Sequence, residues 1–245
     1  MDKRFWAVIA AIIIIFGGIV VVNNRNKDNS GDKSSDGKAT SHVEGSNSKG
    51  ITLVEYGDFQ CPVCGLYEPT VKQVAEKYKD DIQFQFRHFP LQQVHPNAFA
   101  ASRAAEAASL QNKFWEMHDL LYANQNEWSA ASDPVSMFNG YAKTLGINVE
   151  QFKTDFTSGK VNGAIQADIS AGNKLKVTGT PTFFLNGKLV ELKSLVGSDN
   201  YPDIKKFSAV IDAAIKEQAA KKPATPPAEQ ASDSPAPATN DQMQP

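Results

Sequence analysis

The chain has 245 residues, 41% of them hydrophobic and 21% charged, with 25 basic side chains against 27 acidic ones. That length holds one sizeable domain or two small ones. The near balance of charge leaves no basic face or stripe, so nucleic acid is excluded as an expected partner.

Residues 1–4 include Lys3 and Arg4 and read as a cytoplasmic N-terminus. Residues 5–22, Phe5 to Val22, carry no charge and are dominated by Ile, Val and Ala. A helix over them spans roughly 27 Å, close to the thickness of a hydrocarbon core. No small-x-small site follows in Val20-Val21-Val22-Asn23-Asn24, so the run reads as an uncleaved signal anchor rather than a removed leader. Residues 23–50 are rich in Ser, Asn, Asp, Gly and Lys and read as a flexible linker. At the other end, residues 221–245 are mostly Pro, Ala, Ser, Thr and Gln and read as a disordered tail.

The folded part is expected over 51–220, a size typical of one domain. Ile51 to Tyr56 reads as a short buried strand, interrupted by Glu55 and ended by Gly57-Asp58. From Pro62 to Tyr78 the residues Leu66, Tyr67, Val71, Val74, Ala75 and Tyr78 fall at helical spacing, with Pro62 suited to the first turn and Pro69 expected to kink the helix. Ile82 to His88 alternates strictly, which predicts a strand with Ile82, Phe84 and Phe86 inward. A helical block follows. It comprises Asn97 to Gln111, a segment around Phe114, Trp115, His118 and Leu121, a helix opened by Asp133-Pro134, another opened by a capping box at Asn148 to Gln151, and a last one from about Lys160 to Leu175. Thr182 to Leu185 and Lys188 to Leu192 flank Asn186-Gly187, the strongest short hairpin signal. Tyr201 to Ala220 closes the domain as an amphipathic helix with Pro202 at its start. The first two strands, joined by a helix, are expected to be parallel neighbours.

Cys61 and Cys64 are the two cysteines of the chain. They form Cys61-Pro62-Val63-Cys64 between a strand and a helix. Cys61 would sit at the helix N-terminus, where unpaired N–H groups favour a thiolate and lower its pKa. Such a thiolate is a good leaving group, so its disulfide is easily attacked. Cys64, one turn further in, would be buried and would resolve or reform the bond. A single C-x-x-C supplies two of the four ligands zinc usually takes, so no metal is expected. A structural disulfide would close too small a loop to stabilise much. His118 reads as a packed core residue, and His88 and His95 as makers of local hydrogen bonds.

These features resemble the DsbA family of thiol–disulfide oxidoreductases. The strand, Cys61-Pro-Val-Cys64, the kinked helix, the inserted helical block and Thr180-Pro181 before a hairpin are similar to its α/β thioredoxin fold with an inserted helical subdomain, here over about 97–176. Phe86 to Leu91, His95-Pro-Asn97 and Lys113 to Asp119 are similar to its membrane-anchored bacterial branch. The resemblance implies that Pro181 is cis and faces the disulfide, and that Thr180 pairs with an extended substrate beside Cys61. It also implies that Glu55 is the buried acid beneath the site, exchanging a proton with Cys64. Pro62 and Val63 would tune the redox poise. Relatives that are strong oxidants carry histidine where Val63 stands, so a milder oxidant is expected here. The implied activity is formation of disulfide bonds in reduced exported proteins outside the cell membrane, with the two sulfurs as redox centre and no exogenous cofactor. Its implied partner is a quinone-linked membrane reoxidase of the DsbB or vitamin-K-epoxide-reductase type. With no dimerisation segment in view, a monomer is expected. A reductase or isomerase on the same fold, and a non-catalytic binding module with a structural disulfide, stay open.

Overall fold

The computed structural model of the protein describes residues 38–221. The expected anchor over 5–22 and the tail from 222 onward lie outside the described residues. No helix among the described residues is long and apolar enough to cross a membrane.

The first element falls where a linker was expected. Strand β1, His42–Glu44, pairs antiparallel with β3, Ile82–His88, placing His42 opposite Phe86. Residues 23–50 are therefore not linker throughout. A short edge strand is held by main-chain hydrogen bonds and needs no apolar pattern, so composition did not reveal it. Strand β2, Ile51–Gly57, pairs parallel with β3 and antiparallel with β4, Thr182–Leu185. Strand β5, Lys188–Val190, completes a sheet of order β1-β3-β2-β4-β5. The β4–β5 turn uses Asn186 at φ 47° and Gly187 at φ 76°, the left-handed pair that this hairpin needs.

Helix α1, Pro62–Lys77, makes the crossover between the parallel strands, and Pro69 lies inside it. Tyr67, Val71, Val74 and Ala75 are buried as expected, but Leu66 is exposed. It has helical spacing without lying on the stripe that meets the sheet. Between β3 and β4 come α2 (Ala98–Ser109), α3 (Phe114–Ala123), α4 (Gln125–Ser129), α5 (Pro134–Thr144), α6 (Val149–Phe156) and α7 (Gly159–Lys174). The five-residue α4 is too short to show a periodicity and was not expected. Asp133 caps α5 by accepting from Val135 N. Asn148 caps α6 by accepting from Gln151 N, but the Gln151 side chain turns to Asp155 instead of completing the box. Gln111 Oε1 accepts from Asn148 N in its place. Helix α8, Ile204–Lys221, begins after Pro202, which bridges to Val196 as extended backbone and does not open the helix.

The interior divides into clusters, and the partly buried Trp115 packs against both the sheet's and the insertion's. Ile51, Leu53, Tyr67, Val71, Phe183 and Phe207 pack between the sheet, α1 and α8. A second cluster joins Phe59, Cys61, Cys64 and Phe86 to Ala101, Met117, Trp128, Phe138 and Phe152 of the insertion. Six alanines of α2 are fully buried, which lets neighbouring helices approach closely. Each fully buried large apolar side chain contributes about 1.5–3 kcal/mol. The cysteine pair thus lies at the seam between sheet and insertion.

Candidate active site

The loop after β2 is tied down before the cysteines begin. Asp58, fully buried, accepts from Gln60 N at 2.8 Å and Leu91 N at 2.9 Å, and His95 Nδ1 lies 2.7 Å from its Oδ2. Cys61 then takes the N-cap position of α1, with extended backbone (φ −69°, ψ 120°) and Pro62 at the first helical position. Its carbonyl starts the helix by accepting from Gly65 N at 3.1 Å. Both cysteines are free thiols in this structure. Cys61 is 5% exposed and Cys64 1%, so the expected division between an outer and an inner thiol holds, with an outer thiol more shielded than expected.

The two thiols are driven apart electrostatically. A hydrogen bond from Cys64 does most to lower Cys61; burial opposes it, and Thr180 with the Cys64 and Val63 main-chain N–H groups adds to it, leaving Cys61 at about 5. Cys61 as a thiol donates to Thr180 O at 3.4 Å. Ionisation ends that donation and leaves Thr180 Oγ1, buried and otherwise unpartnered, as the side-chain donor to the thiolate. Cys64 moves the other way: burial, the bond to Cys61 and the nearby Glu55 push it well above its ordinary value. The Val63 side chain is exposed and takes no part.

Glu55 lies on the core face of β2, between Phe86 on β3 and Phe183 on β4, both fully buried. It is itself 2% exposed, and its Oε2 has no hydrogen-bond partner. Burial first, then Glu68 and Cys61, raises its carboxyl well above the usual range. A carboxyl so raised lends a proton to Cys64 when protonated and, once ionised, takes it back.

Thr180-Pro181 is cis, and Pro181 is buried beside the pair. The structure therefore gathers Cys61, Cys64, Pro62, Val63, Glu55, Thr180 and Pro181 in one place. It also adds residues that sequence reasoning missed. Gln125 Nε2, from α4, donates to Phe59 O at 2.7 Å and Cys61 O at 2.9 Å. Gln60 Nε2 donates to Ser129 O, and Asn97 N donates to Gln60 Oε1. These bonds latch the insertion to the cysteine loop. No short-range pattern marks them, because each links segments more than thirty residues apart. Gly65 makes room: a Cβ there would lie 2.5 Å from Gln125 Oε1. Two further clusters of histidine and acid contain neither cysteine. His42 and His88 both bond Glu106 Oε1, and His118 sits by Glu68 and Asp119.

The family model described as thioredoxin matches residues 38–213. The chain belongs to the thioredoxin family. Among solved structures it is similar to oxidised BdbD from Bacillus subtilis, with a TM-score of 0.62 at 20% identity over 74% of this chain and 97% of that one. It is similar also to alpha-DsbA1 of Wolbachia pipientis, with a TM-score of 0.61 at 24% identity over 74% and 94%. This thioredoxin-family chain thus has the DsbA-like fold with its helical insertion. Curated relatives include the Na⁺/H⁺ antiporter NhaA 3 of Salinispora tropica, 42% identical over 147 residues, which are 60% of this chain and 22% of the antiporter. The NhaA 1 antiporter of Mycolicibacterium gilvum is 41% identical over 151 residues, 60% and 23%. The chain spans less than a quarter of the curated relatives it matches.

Proposed function

We propose that the protein is an extracytoplasmic thiol–disulfide oxidoreductase that forms disulfide bonds in exported proteins. The observation that carries this reading is the Cys61 thiol, held at about 5 at a helix N-terminus, 3.4 Å from the Thr180 carbonyl. A thiol so acidic favours the reduced state and makes the disulfide a good electron acceptor.

In the disulfide form a substrate thiolate attacks Cys61 Sγ. The Cys61–Cys64 bond breaks, and Cys64 leaves with the electron pair and takes a proton from Glu55. The mixed disulfide carries the substrate as an extended segment against Thr180 and Pro181. A second substrate thiolate attacks the substrate sulfur, and Cys61 leaves as a thiolate. Two electrons have moved from substrate to protein, and the substrate holds a disulfide. A quinone-linked reoxidase in the membrane restores the pair. The protein acts as a monomer on a single-pass anchor and needs no cofactor beyond its two sulfurs. Sodium–proton exchange, the activity in the antiporters' names, forms no part of this reading, since the matched stretch is so small a share of them.

The second reading, a reductase or isomerase, uses the same chemistry with the pair kept reduced. Thiol trapping in intact cells with a mass-shifting alkylator separates the two. The proposal expects mainly disulfide; a mainly reduced pool overturns it. Cys64→Ser is expected to accumulate mixed disulfides on Cys61. If none form, and reduced test proteins gain no disulfides faster, the chain is a binding module.

A further inference from the structure

Cys64 gives up a proton each time the disulfide closes and regains one each time it opens. It is 1% exposed, and Glu55 beside it 2%. Neither exchanges protons directly with bulk water. Two polar side chains not used in the chemistry above lie nearby, and the charge of one of them, Glu68, raises Glu55. Glu68 lies one turn beyond Cys64 on α1, and His118 lies on α3. His118 Nδ1 is 3.9 Å from Glu68 Oε1 and 3.3 Å from Asp119 Oδ1, and Asp119 pairs with Lys72. All four line a groove of about 840 Å³.

On the inner side three polar atoms are buried with no hydrogen-bond partner: Glu55 Oε2, Tyr122 Oη and His118 Nε2. Glu55 and Tyr122 both feel the charge of Cys64, and the Tyr122 ring centroid is 5.0 Å from that of His118. Folded proteins rarely leave such atoms unpaired, so each calls for a reason. Here they mark a polar path through an aromatic core of Phe59, Phe86 and Phe114.

We propose that Glu68 and His118 form the proton route between the Glu55–Cys64 pair and the groove. The proposal rests on the redox reading above. When the disulfide closes, Cys64 loses its proton to Glu55 and its sulfur attacks Cys61 Sγ. The new S–S bond forms, and the partner's sulfur leaves as a thiolate. The proton then passes from Glu55 through His118 and then Glu68, the more exposed of the two, to water in the groove; opening runs it back. The 3.9 Å gap exceeds a hydrogen bond and is crossed by a turn of the Glu68 carboxyl or by a bridging water.

The surrounding charges fit this role. Burial, with Asp119 on α3 and Glu44 on β1, raises Glu68 against the pull of Lys72, to about 8. A carboxyl there holds and releases a proton near neutral pH. His118 is lowered by burial, with His88 and Lys72 adding to that and Asp119 opposing it, so it passes a proton without retaining it.

The test is stopped-flow oxidation of the reduced full-length protein by oxidised glutathione, following glutathione release from pH 5 to 9. Glu68→Gln is expected to slow release at pH 7 by roughly ten-fold, less than direct proton transfer contributes. The midpoint potential is expected not to move. Imidazole, small enough for the groove, is expected to restore the rate in proportion to its concentration, and not to restore Glu55→Gln. A Glu68→Gln protein as fast as wild type, or a slow one that imidazole leaves unchanged, overturns the route. Wild-type protein that closes no disulfide at all overturns the redox reading itself.

Discussion

The Val63 side chain gives the Cys61 thiolate nothing, yet the thiol sits at about 5. Its acidity comes from Cys64, from Thr180 and from the main chain of the first helical turn. Alkylation of the reduced protein with iodoacetamide is expected to show an inflection near 5 for Cys61, with Cys64 unreactive across the neutral range. An inflection near the ordinary thiol value of 9.0 contradicts this account of the site. Val63→His adds a charge at an exposed position and is expected to lower the Cys61 pKa further and raise the potential. An unmoved potential removes side-chain control from that position. At this scale the sequence was most legible where chemistry is local. Two cysteines three apart and a Thr-Pro before a strand announce themselves by spacing. Glu68, His118 and Tyr122 did not, because α1 and α3 meet only through the fold, and helical spacing alone marks His118 as core.

Among the elements, the joint between α4 and the cysteine loop has the clearest mechanical role. Gln125 supplies two hydrogen bonds to it, and Gly65 leaves the room. Gly65→Ala is expected to push Gln125 off Phe59 O and Cys61 O and to cost about 1–3 kcal/mol in unfolding midpoint experiments. Gln125→Ala, which loses the same bonds without a clash, should cost a similar amount. A Gly65→Ala protein of wild-type stability would show that the joint bears no strain. Strand β2, the parallel crossover, the hairpin and the order of the insertion helices were legible because their periodicity or turn chemistry is strong. Strand β1 and α4 were not, since three or five residues carry no period and owe their form to the edge of β3 and to the cysteine loop.

Across the whole molecule, opposing shifts set how stability responds to pH. Glu106 would be raised by burial, but hydrogen bonds from His42 and His88 hold it down to about 2. Its stabilisation is present above about 4.5 and is lost as pH falls through about 2. Glu68 is raised to about 8, so its contribution is full below about 4.5 and is lost as pH rises through 8. Glu68→Gln is therefore expected to unfold at higher denaturant than wild type at pH 9 and at the same denaturant at pH 4. Cys61 acts in the dithiol form alone. Its folded value of about 5 lies below the ordinary 9.0, so its stabilisation is present above 9 and lost as pH falls through 5. Denaturant midpoints of the reduced and oxidised proteins should therefore draw apart as pH rises from 5 to 9. In the proposed oxidase that gap supplies the oxidising power, and the reduction potential reads it in one number. For the full-length protein at pH 7 the account predicts a potential more oxidising than about −180 mV, the value of protein disulfide isomerase. A potential near about −270 mV, that of the reductant thioredoxin, would contradict it.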